Sequence, residues 1–221
     1  MSPEQLVERY PLLYHMAWED SWPSIERHGL LSTKTLLDLF EVDKARSTRL
    51  LTQRRPESEA IDHPKFGSAV IRDQKPLIDS KLKSSLTGGL KLEDWYRTLN
   101  DRVFFWLTEE RLLTLMSAEA YRDAAHDVLI LRTRDLVAAH EVDIELTAMN
   151  TGATRPMAFP RGRETFKKIS AYPFDDRVAR RLEPVIELTV LGRVPKIAEY
   201  VERVERWKKC KPSKRLPIRK R

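Results

Sequence analysis

The stretch Leu12-Leu13-Tyr14-His15-Met16, followed by Trp22-Pro23-Ser24-Ile25-Glu26-Arg27-His28-Gly29-Leu30-Leu31, decides the fold of this chain. Its first part is typical of a short apolar strand that carries one histidine, and its second part predicts a helix. Ser21 suits the N-cap, Pro23 suits the first turn, and Gly29 suits the left-handed position just past the helix. An unpaired buried polar group costs about 1–3 kcal/mol. His15 is therefore expected to have a partner, which either the fold or a ligand supplies.

Length and composition predict a soluble globular protein. The chain has 221 residues, enough for one full domain, and its apolar content is ordinary. No run approaches the roughly 20 apolar residues of a membrane span, and Met1-Ser2-Pro3-Glu4 lacks the pattern of a signal peptide. The single cysteine, Cys210, excludes an internal disulfide and a zinc site with several thiolates. We therefore expect a cytoplasmic protein with no membrane partner.

The positive charge is concentrated at the C-terminus. Residues 208–221 hold eight basic residues and no acid, whereas the whole chain has a net charge of +7. We therefore expect a single, nearly neutral domain over 1–207 and a mobile basic arm over 208–221. Such an arm suits a polyanion, of which nucleic acid is the usual one. The alternative is a solubilising tail with no specific partner.

The remaining elements alternate irregularly, which favours the α+β class over a doubly wound sheet. Apolar patterns predict strands at 102–107, 127–133, 142–146 and 185–191. Helical spacing predicts helices at 3–9, 33–40, 90–99, 109–118, 118–125, 134–140 and 194–207. Residues 150–184 are rich in loops, and a loop region of this length is usually functional or disordered.

Common catalytic and phosphate-binding motifs are missing from the sequence. It contains no GxGxxG, GxxxxGK[ST], HExxH or GxSxG, and no histidine pair at a metal-binding spacing, so we expect no metal. Three features on predicted strands remain: His15, the cluster Phe104-Phe105-Trp106, and Glu187. Taken alone, Glu187 fits the exposed face of a half-buried strand, and the aromatic cluster fits ordinary core.

The order of these three features, with a long polar loop before Glu187, resembles the ADP-ribosyltransferase fold. The resemblance is closest to the DarT-type toxins that ADP-ribosylate DNA. Tyr14-His15, followed by the helix that ends at Gly29-Leu30, matches their first strand and helix. Val185-Ile186-Glu187-Leu188-Thr189-Val190, followed by Val194-Pro195-Lys196-Ile197, matches their last acidic strand and the helix after it.

The whole chain is also similar to an uncharacterised bacterial family. The shared stretches are Asp94-Trp95-Tyr96, Val103-Phe104-Phe105-Trp106 and Asn150-Thr151-Gly152-Ala153-Thr154. This second similarity implies no function.

The resemblance to ADP-ribosyltransferases implies a split β-sandwich and NAD as the substrate. Glu187 would be the catalytic acid that stabilises positive charge on the ribose as the nicotinamide leaves. His15 would donate a hydrogen bond to a ribose hydroxyl or to the diphosphate, and Phe105 or Trp106 would pack on the nicotinamide. Further candidates for contacts to NAD are Tyr14, Arg102, Arg132, Asn150 and Thr151. Candidates for contacts to the acceptor are Tyr172, Phe174, Arg155 and Arg161.

The acceptor would be a macromolecule, for which the basic arm favours nucleic acid, and the toxin resemblance raises an antitoxin or immunity protein as a partner. Two other functions stay open. An RNA 2′-phosphotransferase-like enzyme uses the same scaffold, with arginines dominating its site. A non-catalytic nucleic-acid-binding module would need no NAD.

Overall fold

The computed structural model describes residues 1–219 and belongs to the α+β class, as predicted. The helices are α1 (Pro3–Arg9), α2 (Trp22–His28), α3 (Thr33–Leu39), α4 (Lys44–Thr52), α5 (Asp79–Ser85), α6 (Leu92–Asn100), α7 (Glu109–Met116), α8 (Thr133–His140) and α9 (Phe174–Ala179). The strands are β1 (Leu12–Trp18), β2 (Leu30–Leu31), β3 (Glu59–His63), β4 (Gly67–Ile71), β5 (Arg102–Trp106), β6 (Ala125–Arg132), β7 (Ile144–Thr147), β8 (Lys167–Lys168), β9 (Glu187–Leu191), β10 (Arg193–Val194), β11 (Val201–Lys208) and β12 (Lys211–Leu216). No helix within residues 1–219 is long and apolar enough to cross a membrane.

One large antiparallel sheet organises the molecule, in the order β12-β11-β6-β1-β5-β9-β7-β8. Its centre is weakly joined, because β1 and β5 share the single register pair Tyr14–Trp106. By contrast, β1 pairs with β6 along its whole length, and β5 pairs with β9 along its whole length. The sheet therefore consists of two halves that separate between β1 and β5.

Separate apolar clusters cover the two faces of the sheet. Leu13 and Ala17 of β1 pack in the main core, which also contains residues of α1, α8 and β9. Tyr14 and Met16, which alternate with them, pack against α7 on the other face. A further cluster joins α3 and α4 to the β3–β4 hairpin. The hairpin thus forms a small layer beside the sheet.

The helix of the opening stretch is capped differently from the prediction. The Ser21 side chain makes no capping hydrogen bond, and the buried Asp127 carboxylate of β6 instead accepts from the Trp22 backbone N–H at 3.0 Å. Gly29 has φ +85° after the helix end, and an added Cβ would lie 2.7 Å from the Val194 carbonyl oxygen. Glycine is therefore required there by both backbone conformation and space.

The C-terminal elements differ from the sequence prediction. The predicted helix over 194–207 is wrong, because most of this segment forms β10 and β11. The buried positions of β11 recur every third residue, at Val201, Val204 and Trp207, and this spacing resembles that of a helix. Register shifts within β11 allow a strand to bury residues at this spacing. The predicted helix over 118–125 is also absent, since these residues form turns before β6 begins at Ala125.

The basic arm is also ordered where the structure describes it. Lys211–Leu216 forms β12, which pairs with β11 at the edge of the sheet, so the prediction of a mobile arm is wrong for this segment. The carbonyl oxygen of Pro217 accepts a hydrogen bond from Trp22 Nε1 at 2.8 Å, and the Arg219 N–H donates to Glu26 at 2.6 Å. The boundary expected at 207/208 falls inside β11, and the last two residues of the arm lie outside the described residues.

Candidate functional site

A cavity of about 360 Å³ lies where the two halves of the large sheet separate. Its walls come from the neighbouring ends of β1 and β5, from α2 and α3, and from the β4 segment. Both His15 and Glu187 line this cavity. Their strands are separated by β5, so the gap beside β1 is what gives both residues access to one space.

His15 and Glu187 reach the cavity from different faces of the sheet. Tyr14, Trp106 and Glu187 are direct register partners, so their side chains share one face. His15 follows Tyr14 and therefore points to the opposite face. A continuous sheet would keep these two side chains apart, whereas the gap between the halves lets them line one cavity.

The ring of His15 spans the gap between β1 and β5. Its Nδ1 lies 2.8 Å from the carbonyl oxygen of Phe104. Burial lowers the pKa of His15 to about 4, so the ring is neutral at pH 7. Because a carbonyl only accepts, Nδ1 carries the proton and Nε2 is left as an acceptor. The donation from His15 to a ligand that the sequence analysis expected is therefore wrong for this tautomer. Nε2 has no hydrogen-bond partner within the described part of the chain.

Glu187 is a buried carboxylate that is held by one residue. Its Oε2 accepts from the Thr151 backbone N–H at 3.1 Å and from the Thr151 hydroxyl at 2.7 Å. The side chain is buried, and this burial raises the pKa of Glu187 to about 7, although the Thr151 hydrogen bonds oppose the shift. Oε1 makes no hydrogen bond to any described residue, so it is available to a ligand.

Arg161 fixes the loop that holds Glu187. Its three guanidinium nitrogens each donate to a backbone carbonyl, those of Thr151, Ala153 and Phe159, all at 3.1 Å. The guanidinium also lies over the Trp95 ring, 5.7 Å from its centroid. Arg161 is thus a buried positioning residue, and its location does not fit the acceptor contact expected from the sequence.

The aromatic residues of β5 differ in exposure. Val103 and Phe105 are buried, whereas Phe104 and Trp106 are half-buried, which establishes the inward face of this strand. Phe105 and Trp106 both line the cavity. The Phe105 ring packs against His15 with centroids 5.8 Å apart, so Trp106 offers the larger accessible surface.

Two other residues of the sequence prediction also line the cavity. Asn150 does so beside Gly152, and Thr151 between them is buried behind Glu187. Arg102 reaches the cavity wall, but its guanidinium pairs with Glu145 at 2.6 Å and donates to the Thr98 carbonyl. The guanidinium of Arg102 is therefore occupied within the fold.

The remaining predicted site residues lie outside the cavity, and all of them except the exposed Arg155 have side chains engaged within the fold, which does not fit the ligand contacts expected of them. Tyr14 faces α7. Arg132 pairs with Asp135 and donates to the carbonyl oxygens of Glu199 and Val201. Tyr172 is buried with its hydroxyl on the Pro184 carbonyl oxygen, and Phe174 packs against the main core. Arg155 is exposed on the loop and does not line the cavity.

Two cavity residues were missed by the sequence analysis. Arg55 and Arg72 flank the β3–β4 hairpin, and both line the cavity wall. The sequence around Arg55 is rich in charged residues, which is typical of an exposed segment. No local pattern distinguishes Arg55 from the neighbouring arginines, because its burial depends on contacts with distant residues.

Within residues 1–219, no group of three or more His, Cys, Asp or Glu side chains is placed to hold a metal ion.

Residues 11–201 match a family of unknown function, DUF7002. The chain belongs to this family. The DUF7002 region contains every cavity residue named above, from His15 to Glu187, whereas the basic strand β12 lies beyond it. A comparison with curated proteins gave no match.

Proposed function

We propose that this DUF7002 protein is an NAD-dependent ADP-ribosyltransferase that modifies a macromolecular acceptor. The observation that carries the proposal is the convergence of His15 and Glu187 on one cavity, at the point where the sheet parts. The resemblance found in the sequence assigned contacts with the substrate to these two residues. A sheet that divides between β1 and β5 is also in keeping with the split β-sandwich which that resemblance implies.

The chemistry of Glu187 suits cleavage of the bond between nicotinamide and ribose. As this C–N bond breaks, its electron pair leaves with nicotinamide, and positive charge develops on the ribose. A fixed carboxylate stabilises that charge, and an oriented contact of this kind contributes about 10²–10³ in rate. Thr151 holds Oε2, so Oε1 remains for the ribose. The cationic nicotinamide group of bound NAD would favour the ionised carboxylate.

His15 and Trp106 have contacts that suit the rest of NAD. The neutral His15 ring presents Nε2 as an acceptor for a ribose hydroxyl. The half-buried Trp106 offers an apolar face for the nicotinamide ring. After cleavage, Glu187 in its ionised form can accept the proton of the attacking acceptor group.

Nucleic acid is the acceptor that the charge distribution favours. The exposed residues at the end of β11, in the turn after it and in β12 include Lys208, Lys209, Lys211, Lys214 and Arg215, and none of them forms an ion pair within residues 1–219. β12 is the third strand from β1, which places it about 14 Å from the cavity at ordinary strand spacing. An extended polyanion could therefore contact both.

A phosphotransferase-like activity is the second candidate, because Arg55 and Arg72 line the cavity. The two activities differ in their acceptors and products, since only the transferase leaves ADP-ribose attached to a macromolecule that carries no 2′-phosphate.

The deciding experiment incubates the protein with labelled NAD and separate pools of DNA, RNA and protein. The expected result is release of nicotinamide and transfer of label to one pool. Glu187→Gln should reduce both by at least about 10²-fold. Glu183→Gln is the matched control, because Glu183 lies nearby in the chain but outside the cavity. Undiminished turnover by Glu187→Gln would refute the assignment of the catalytic acid.

A further inference from the structure

Two arginines with no carboxylate partner line one wall of the cavity, of which Arg55 is buried and Arg72 is half-buried. Arg55 precedes β3 and is 5% exposed, and Arg72 follows β4. Within the described residues, neither guanidinium lies within 4 Å of a carboxylate oxygen. Moving a charge out of water carries a large free-energy cost unless the charge is paired. These two positive charges therefore require an explanation.

One buried donor of Arg72 has no hydrogen-bond partner within the described residues, although the guanidinium also interacts with Tyr121. Its Nη1 donates to the Met16 carbonyl oxygen at 3.0 Å, and its guanidinium lies 4.7 Å from the centroid of the Tyr121 ring. Nη2 is buried and has no hydrogen-bond partner among residues 1–219. Unsatisfied buried donors are rare in native proteins, and a missing ligand is one cause.

Arg55 is held rigidly beside it by neutral groups. Its Nε donates to the Arg72 carbonyl oxygen at 3.0 Å, and its Nη1 donates to the Leu50 carbonyl oxygen at 2.6 Å. Carbonyls satisfy these donors but do not neutralise the charge. Burial lowers the pKa of Arg55 to about 10 and also lowers that of Arg72, which reflects incomplete compensation.

The acids nearest in the chain are engaged elsewhere. Asp73 accepts from the Tyr121 hydroxyl at 2.7 Å and from Ser58 at 3.2 Å. Glu59 pairs with Arg49 at 2.7 Å. Asp73, which itself lines the cavity, acts on both arginines, and Glu59 acts on Arg55, in each case only at longer range. The two positive charges therefore remain available to an additional anion.

We propose that Arg55 and Arg72 form a phosphate-binding subsite that receives the diphosphate of a nucleoside diphosphate group. The inference deepens the proposed function, on which it rests for placing this ligand in the same cavity as Glu187. A guanidinium binds phosphate through two parallel N–H donors, and such charge-assisted bonds are about twice as strong as neutral ones. The unpaired Nη2 of Arg72 supplies one of these donors.

Calorimetric titration of the full chain tests the subsite with ADP, adenosine and pyrophosphate at constant ionic strength. ADP should bind at least about tenfold more tightly than adenosine, since a hydrogen bond to a charged group contributes about 1.5–3 kcal/mol. Arg72→Gln should remove this preference and leave adenosine binding unchanged. Arg72→Lys should keep part of it, because the charge remains while the two-pronged geometry is removed.

Arg54→Gln is the matched control, because Arg54 adjoins Arg55 but does not line the cavity. It should bind ADP as the unaltered protein does. If Arg72→Gln fails to fold, the unaltered protein and Arg72→Lys still decide the question. Equal binding of ADP and adenosine by the unaltered protein, or no binding of ADP and pyrophosphate, would overturn the proposal. ADP binding needs no turnover, so a protein that binds ADP through Arg72 but never cleaves NAD would keep the subsite and refute the transferase.

Discussion

The Nδ1 atom of His15 lies 2.8 Å from the carbonyl oxygen of Phe104, across the gap that divides the large sheet. Next to it, Tyr14 and Trp106 form the single register pair between β1 and β5. The His15 side chain thus donates to the Phe104 carbonyl oxygen at the point where backbone pairing between β1 and β5 has ended. This contact also selects the tautomer of His15, and therefore determines which nitrogen a ligand can meet.

Replacing His15 tests the role of its free nitrogen. His15→Asn should lower kcat/KM for NAD at least about tenfold, because removal of one hydrogen bond of about 1.5 kcal/mol has this effect. His63→Asn is the control, since His63 on β3 does not line the cavity. Initial rates of nicotinamide release measure both variants. Equal rates for His15→Asn and the unaltered protein would exclude the contact.

Thr151 should set the pH at which Glu187 ionises. Thr151→Val removes the hydroxyl that donates to Glu187 Oε2, so the pKa of Glu187 should rise above about 7. The acid limb of the pH profile of kcat/KM should move upward by about 1 pH unit.

Thr147→Val is the matched control for this change. Thr147 is the register partner of Glu187 on β7, and its buried hydroxyl has no hydrogen-bond partner in the described region. The acid limb of the pH profile of kcat/KM for Thr147→Val should have the same midpoint as that of the unaltered protein. A shift of the same size in both valine variants would mean that Thr151 does not act through its hydrogen bond.

Stability should depend on pH through Glu187 and His15 with opposite signs. The pKa of Glu187 is raised from 4.5 to about 7, so the folded protein retains a proton that the unfolded chain releases. This contribution to the free energy of unfolding falls as pH rises from 4.5 to 7, by at most about 3 kcal/mol. The pKa of His15 is lowered from 6.5 to about 4, so its contribution rises as pH rises from 4 to 6.5.

Urea unfolding between pH 4.5 and 7.5 separates the two contributions. Glu187→Gln should remove the fall, so that this variant gains stability relative to the unaltered protein as pH increases to 7. His15→Asn should remove the rise and show a steeper fall. Parallel stability curves for the unaltered protein and Glu187→Gln would contradict the raised pKa.

The basic edge strand should carry non-specific affinity for nucleic acid. Replacing Lys211, Lys214 and Arg215 of β12 with glutamine should weaken binding similarly for all sequences. On duplex DNA, the slope of log K against log salt should become shallower by about 0.9 for each phosphate that the variant no longer neutralises. Replacing Lys81, Lys83 and Lys91 with glutamine is the control. It removes the same number of positive charges from exposed lysines that lie in α5 and before α6, outside β12. Equal weakening by both triple variants would indicate that net charge alone governs binding.

Local patterns in the sequence were sufficient for the central strands. The predictions at 102–107 and 127–133 correspond to β5 and β6, because each is a continuous apolar run that a buried strand requires. The helix at 33–40 corresponds to α3, which begins after Ser32, whose hydroxyl accepts from the Thr35 N–H. In these elements, propensity, periodicity and capping all favour the same structure.

Features that depend on distant contacts could not be predicted from such patterns. The spacing of Val201, Val204 and Trp207 indicated a helix, and only pairing with β6 turns this spacing into a strand. Glu187 fitted an exposed strand face, and its burial depends on the loop that Arg161 holds. Arg72 carried no signal at all, since its surroundings come from β1 and from Tyr121.

The two ends of the segment that carries Arg55 and Arg72 lie side by side. The Gln74 N–H donates to the Arg55 carbonyl oxygen at 2.7 Å, and the Arg55 N–H donates to the Gln74 side chain at 3.1 Å. Residues 55–74 therefore form a segment that leaves the rest of the fold and returns to it at the same place. A segment of different length could replace residues 55–74 without moving β1 and β9, the strands that carry His15 and Glu187. Because Arg55 and Arg72 both belong to residues 55–74, such an exchange would alter that wall of the cavity while His15 and Glu187 kept their positions.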